Sequence, residues 1–192
     1  MLIMKALEEK IVKEGSVLPG NILKVGSFLN QRLDVDFIME MGKEISRIFS
    51  DEKITKILTI EASGIAIAVG AAAQMRVPVV FAKKNKTSNV SSDTYSANVD
   101  SFTHGKTYEI LIPKEYISPS DKILIVDDFL ANGKALIGLM DILTQAKAET
   151  VGCCCVIEKG FQGGGDALRA QGIRVESLAI IDSMTDDSLS FR

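Results

Sequence analysis

Two adjacent carboxylates, Asp127 and Asp128, follow four aliphatic residues, Ile123 to Val126, and precede the small-residue stretch Ala131-Asn132-Gly133-Lys134-Ala135. The aliphatic run reads as a buried strand that the two acids end. The stretch after it reads as the opening of a helix. The first amides of a helix lack internal partners and point outward, and the helix dipole adds positive character there. Small residues let the backbone approach a ligand closely, and Gly133 relaxes the dihedral limits. Such a turn is a phosphate site. The acids cannot share that phosphate, because like charges repel. They suit hydroxyl groups or a hydrated cation instead. Phosphate amides beside two carboxylates fit a ribose 5-phosphate.

The elements that must hold these residues alternate along the chain. A helix is expected over 3–13, ended by Gly15, and a second after the cap residue Asp34, with Phe37, Ile38, Met41, Ile45 and Phe49 on its apolar face. Ile54 to Ile60 reads as a strand, and an alanine-rich helix follows Glu61-Ala62-Ser63-Gly64 to about Met75. Further strands are expected at Val77 to Ala82, Ile123 to Val126, Val151 to Ile157 and Val175 to Ile181, with helices near 132–146 and 167–171. This alternation predicts an α/β fold with a mostly parallel central sheet flanked by helices. Ligands of such sheets bind beyond the carboxyl ends of the strands. Glu61, Lys83, Asp127, Asp128 and Lys159 all fall at those ends.

The polar stretch 85–106 interrupts the alternation and reads as a flexible lid loop. Thr107 to Ile112 reads as an antiparallel strand returning from it. No second linker or internal repeat is visible, so residues 1–192 read as a single domain.

Composition narrows the function classes. Lys and Arg number 22 against 25 acids, which gives no basic excess for nucleic acid. No apolar run approaches the roughly 20 residues of a membrane span, and the opening MLIMKALEEK turns charged too early for a signal peptide. A cytoplasmic location is therefore expected. Cys153, Cys154 and Cys155 are consecutive in a strand, where neighbours face opposite sides, so they cannot converge on one metal. They read as buried thiols in a reducing compartment. His104, the single histidine, reads as solvent-facing.

The strand, the acids and the loop 131–135 together resemble the ribose-phosphate signature of the type I phosphoribosyltransferases. Lys24-Val-Gly-Ser-Phe-Leu-Asn-Gln31, Thr59-Ile-Glu-Ala-Ser-Gly-Ile65, Val77-Pro-Val-Val-Phe-Ala-Lys-Lys84, Ser101-Phe-Thr103, Val156-Ile-Glu-Lys159 and Arg174-Val-Glu-Ser-Leu178 narrow the likeness. In order and spacing they are similar to the xanthine-using bacterial branch of that family. The resemblance covers nearly the whole chain.

The resemblance implies that fold, with a small hood from residues 1–33 and the C-terminal segment. It implies transfer of a phosphoribosyl group from 5-phosphoribosyl 1-pyrophosphate to xanthine, releasing pyrophosphate. Relatives preferring guanine, hypoxanthine or adenine are the near alternatives. A regulator that senses the same donor and binds DNA is the remote one. By the same resemblance, Ala131, Asn132, Gly133, Lys134 and Ala135 would hold the 5-phosphate. Asp127 and Asp128, the expected catalytic pair, would hold the ribose hydroxyls directly or through Mg²⁺. Glu61, Ala62, Ser63 and Gly64 would approach the leaving pyrophosphate, with Lys83 and Lys84 nearby. Leu23, Asn30, Lys159 and Phe129 would contact the base. Mg²⁺ would accompany the donor, no organic cofactor is implied, and a homodimer is expected.

This chain departs from related patterns at several points. Ala131 stands where hypoxanthine–guanine relatives carry an Asp beside the imidazole ring of the base. Ala131 and Ala135 also lack the threonine hydroxyls common at the ends of this loop, which leaves backbone amides and Asn132 to hold phosphate. Lys83 replaces an Arg, keeping the charge but losing the bidentate fork.

Overall fold

The structure, a computed structural model, describes residues 4–84, 93–100, 107–185 and 188–192. Helix α1 (Lys5–Glu14) leads into a hairpin of β1 (Ser16–Leu18) and β2 (Ile22–Lys24), a π-helical turn (Gly26–Asn30) and α2 (Val35–Ile48). Then come β3 (Lys56–Ile60), α3 (Gly64–Met75), β4 (Val79–Lys84), β5 (Thr94–Asp100) and β6 (Thr107–Pro113). The chain continues through β7 (Lys122–Leu130), α4 (Lys134–Ala146), β8 (Glu149–Lys159), α5 (Gly164–Ala170), β9 (Val175–Met184) and β10 (Leu189–Phe191).

Eight strands form one sheet in the order β10-β9-β8-β7-β3-β4-β6-β5. The five central strands, β9 to β4, run parallel. Strands β10, β6 and β5 are antiparallel additions at the two sides. The mostly parallel sheet expected from the sequence is therefore present.

Each face of the sheet has its own core. Helices α1, α2 and α3 cover one face, with Leu7, Ile11, Phe28, Met41, Ile45 and Ala71 among the buried residues. Helix α4 covers the other with Leu136, Leu139, Ile142 and Leu143. The cysteines divide by strand alternation: Cys154 faces the first core, Cys153 and Cys155 the second. All three are buried, and burial pushes the Cys153 thiol up to about 12. They are packing residues, held as thiols at neutral pH.

The alanine-rich composition of α3 has a steric reason. A methyl at Gly42 of α2 would stand 2.7 Å from Ala71 N and collide with Gly70, so the two helices touch backbone to backbone. Asp34 caps α2 as expected, accepting from Phe37 N at 3.2 Å. The amino-terminal elements are tied across the molecule. Met4 N donates to Leu178 O of β9 at 2.7 Å. Arg174, just before β9, donates to Ile48 O at 2.9 Å and stacks 4.4 Å from the Phe49 ring centroid.

Two expectations need correction. The acids do not end their strand: β7 runs on to Leu130, pairing Phe129 with Ile157 and Leu130 with Glu158 of β8. The stretch 85–106 is not all loop, because Thr94–Asp100 forms the edge strand β5, seven residues in register with β6. Its Ala97 and Val99 pack on α4, where Gly138 leaves them room. The hairpin β1–β2 and the closing strand β10 were also not foreseen. Residues 85–92 and 101–106, with His104 and Ser101 to Thr103, lie outside the described residues.

Candidate active site

The parallel strands deliver their carboxyl ends to one side of the sheet. Asp127 lies on β7 opposite Cys155 and is 5% exposed. Its Oδ1 accepts from Asp128 N at 2.9 Å. Burial first, and the Asp128 charge second, hold the Asp127 carboxyl well above the usual carboxylate range; Lys84 pulls it partly back. Asp128 is less enclosed, and its Oδ2 accepts from Asn30 Nδ2 at 3.4 Å. The segment before α2 thus meets the acid pair directly.

Beneath the acids lies the β3–α3 loop, Glu61 to Ser63, whose Glu61–Ala62 peptide is cis. Glu61 Oε1 accepts from Lys84 N at 2.6 Å, joining this loop to the end of β4. Gly64 begins α3 in a confined place. A methyl there would collide with Thr59 Oγ1 and stand 2.9 Å from Asp127 Oδ1. Thr59 is fully buried, and its hydroxyl has no hydrogen-bond partner among the described residues.

The loop 131–135 turns between β7 and α4. Gly133 has φ +79°, the left-handed region, at the helix entrance. Asn132 Oδ1 accepts from Lys134 N at 3.1 Å, so the asparagine already steadies the turn. All five loop residues line a cavity of about 540 Å³. Phe129, Lys159, Asn21, Tyr108 and Gln162 line it too.

Lys159 Nζ donates to Asn21 O at 2.8 Å and sits 5.8 Å from the Phe129 ring centroid. Burial lowers its pKa. It therefore holds a partly desolvated positive charge in the cavity that the loop 131–135 also lines. Phe129 packs against the core and also lines the cavity.

The expected residues are not all gathered in that space. Leu23 and Asn30 line a neighbouring cavity of about 430 Å³ with Gln31 and Glu14, joined to the site through the Asn30–Asp128 bond. Lys83 and Lys84 diverge by strand alternation. Lys84 Nζ sits 5.2 Å from the ring centroid of Tyr108, which lines the loop cavity. Lys83 lines a separate groove with Phe81 and Tyr116.

Sequence reasoning missed Asn21, Tyr108 and Gln162. The turn signal Pro19-Gly20 marked Asn21's neighbourhood, and Asn21 itself takes φ +60°. Nothing local marks the other two, because their place depends on how β6 and the turn after β8 meet the sheet. Among the described residues no three His, Cys, Asp or Glu side chains cluster as a metal site. No helix among them is long and apolar enough to cross a membrane.

A parallel sheet whose strand ends carry a carboxylate pair, a glycine-turned loop at a helix entrance and a half-buried lysine is the arrangement expected of a phosphoribosyl-transfer fold. The chain belongs to the phosphoribosyltransferase family: the family described as "Phosphoribosyl transferase domain" matches residues 26–168.

Its relatives narrow the class. It is 52% identical to a xanthine phosphoribosyltransferase of Lachnoclostridium phytofermentans over 191 residues, 98% of each chain. It is also 52% identical to a xanthine phosphoribosyltransferase of Clostridioides difficile over 190 residues, 98% of this chain and 100% of that one. Among solved structures, adenine phosphoribosyltransferase from Thermoanaerobacter pseudethanolicus has a similar fold, with a TM-score of 0.72 at 20% identity over 91% of this chain and 98% of that one.

Proposed function

We propose that this chain joins xanthine to the ribose 5-phosphate of 5-phosphoribosyl 1-pyrophosphate, giving xanthosine 5'-monophosphate and pyrophosphate. The observation that carries the reading is the cavity lined by both the loop 131–135 and Lys159, with the acid pair on the strand that leads into that loop. The loop amides hold the 5-phosphate. A ring nitrogen of the base forms the new bond to C1' as the bond to pyrophosphate breaks. Positive charge grows on the ribose in that step, and Asp127 and Asp128 stabilise it. Glu61 to Gly64 and Lys84 lie on the side from which pyrophosphate leaves. Lys159 donates to an exocyclic oxygen of the base, while Leu23 and Asn30 approach it from the hood.

Two hard carboxylate oxygens suit Mg²⁺, which is commonly held by one or two carboxylates together with substrate phosphates. Mg²⁺ bound with the donor would neutralise charge on the departing pyrophosphate. We read the working form as a homodimer; Phe81, 39% exposed, and Tyr116, 50% exposed, leave an apolar surface for a second copy. Light scattering tests that reading. Three unpaired buried thiols favour a reducing, cytoplasmic setting.

The test is nucleotide formation with the pyrophosphate donor and Mg²⁺, comparing xanthine, guanine, hypoxanthine and adenine by kcat/KM. Xanthine is expected to lead. Another leading base would keep the reaction and overturn the base assignment. No turnover with any base would overturn the reaction itself.

The alanine at 131 gives a sharper prediction. Xanthine's ring NH groups are comparatively acidic, so its proton leaves without a neighbouring carboxylate. Ala131→Asp supplies one and should raise hypoxanthine activity relative to xanthine by about tenfold or more, within the span of general-base effects. An unchanged ratio of the two kcat/KM values would count against this account of selectivity.

A further inference from the structure

The phosphate loop does not stand alone. Helix α5, which belongs to the next βα unit, is pressed against it from behind. Gly164 N donates to Ala131 O at 3.2 Å. A methyl on Gly164 would collide with that carbonyl oxygen and stand 2.5 Å from the Asn132 carbonyl carbon and 2.7 Å from Gly133 N. In the other direction, a methyl on Gly133 would meet Leu168 of α5 at 3.3 Å. Backbone therefore lies on backbone at residues that line the cavity.

A buried ionic anchor fixes α5 in this position. Glu158, 1% exposed at the end of β8, accepts from Arg169 Nη1 at 2.9 Å and Nη2 at 2.6 Å. Ser177 Oγ donates to the same carboxylate at 2.5 Å, and Arg169 Nε donates to Val175 O at 3.0 Å. A methyl on Gly165 would collide with Glu158, so the anchor also demands glycine there. Glu158 directly precedes Lys159. One rigid connection thus runs from the base lysine through the Glu158–Arg169 pair and α5 to the loop.

We propose that Gly164 and Arg169 are positioning residues for phosphate binding: the glycine contact and the arginine anchor hold the loop 131–135 in the shape that receives the 5-phosphate. This rests on the reading of that loop given above. Neither residue touches the phosphate, and both act through the backbone of Ala131 to Gly133. Displacing a binding group by a fraction of an ångström to 1 Å is enough for a large loss, up to about 100-fold.

Two probes separate positioning from general weakening. Ribose 5-phosphate reports the loop, and inorganic pyrophosphate reports the β3–α3 side of the site. Calorimetric titration of Gly164→Ala should show the Kd for ribose 5-phosphate raised about tenfold or more, with the Kd for pyrophosphate within about twofold of wild type. Arg169→Lys keeps the charge, loses the fork, and should show the same selectivity with a smaller rise. It also serves if Gly164→Ala fails to fold. Unchanged ribose 5-phosphate binding in the folded variants, or equal weakening of both probes, overturns the proposal while leaving the loop's role intact. A wild-type protein that binds pyrophosphate but no ribose 5-phosphate overturns both.

Discussion

Asp127→Asn is expected to lower kcat/KM for nucleotide formation by about 100- to 1,000-fold, the range lost when one preorganised charge facing a developing charge is removed. It should do so without cost to the fold. Asparagine retains the Oδ1 that accepts from Asp128 N. It also removes a carboxylate that burial and Asp128 disfavour. The sign follows from linkage. A carboxyl whose folded pKa lies above its unfolded value gives stability below the unfolded pKa, and that stability is lost as pH rises through the folded pKa. At neutral pH the wild type therefore carries a penalty that the variant lacks. Thermal melts should place the variant's Tm above the wild type's by a few degrees, with a gap that widens as pH rises from about 4 through the raised folded value. A variant that melts below wild type at pH 8, or keeps activity within about threefold, would contradict the assignment. Asp128→Asn and the double variant complete the comparison, because adjacent groups acting together lose activity non-additively.

Gly64→Ala should damage both stability and activity. The added methyl meets Thr59 Oγ1 and Asp127 Oδ1, and both of those residues are buried. Overpacking of this kind costs about 1–3 kcal/mol. The acid pair moves with it, so kcat/KM should fall by about 100-fold. The Thr59 hydroxyl has no partner to lose. Thr59→Ala in the Gly64→Ala background should therefore recover stability, with a coupling of about 0.5–3 kcal/mol in a double-mutant cycle. Activity should return only in part, because Asp127 remains crowded. Strictly additive melting free energies would show that the two side chains do not compete for this space.

What could be read from the chain was the part whose signal is local. Ile123 to Val126, the acid pair and a glycine turn make a strand, a charge and a loop within thirteen residues, and they stand together in the fold. The thirteen-residue helix α4 begins at Lys134, within that loop. The cap at Asp34 was equally local. What escaped depends on distant partners. Asp127 and Asp128 read as a stop because charged residues rarely continue a buried strand, yet β8 pairs with β7 beyond them. Strand β5 buries Ala97 and Val99 alone, with Tyr95 half-buried on the same face, too weak an alternation to stand out from a polar stretch. Lys83 and Lys84 looked equivalent in sequence, but strand alternation sends one to the loop cavity's edge and the other to a separate groove. The division of Leu23 and Asn30 from Lys159 arises where the amino-terminal hairpin and the turn after it meet the sheet, and no spacing in the chain encodes it.

The tie between Met4 and β9 bears on how the molecule is made. A ribosome releases residues in order, at about 5–20 each second. Helices α1 and α2 emerge early, but the carbonyl of Leu178 that ties down the start of α1 and the Arg174 contacts at the end of α2 arrive roughly ten seconds or more later at that pace. Until then Leu7 and Ile11 have only part of their core to bury against. Closing so long a loop costs conformational entropy before any contact repays it. The nascent chain can assemble β3, α3 and β4 while the base-facing end stays open. A translation product stopped before β9 carries the loop 131–135 and the acid pair while Leu7 and Ile11 of α1 still lack part of their cover.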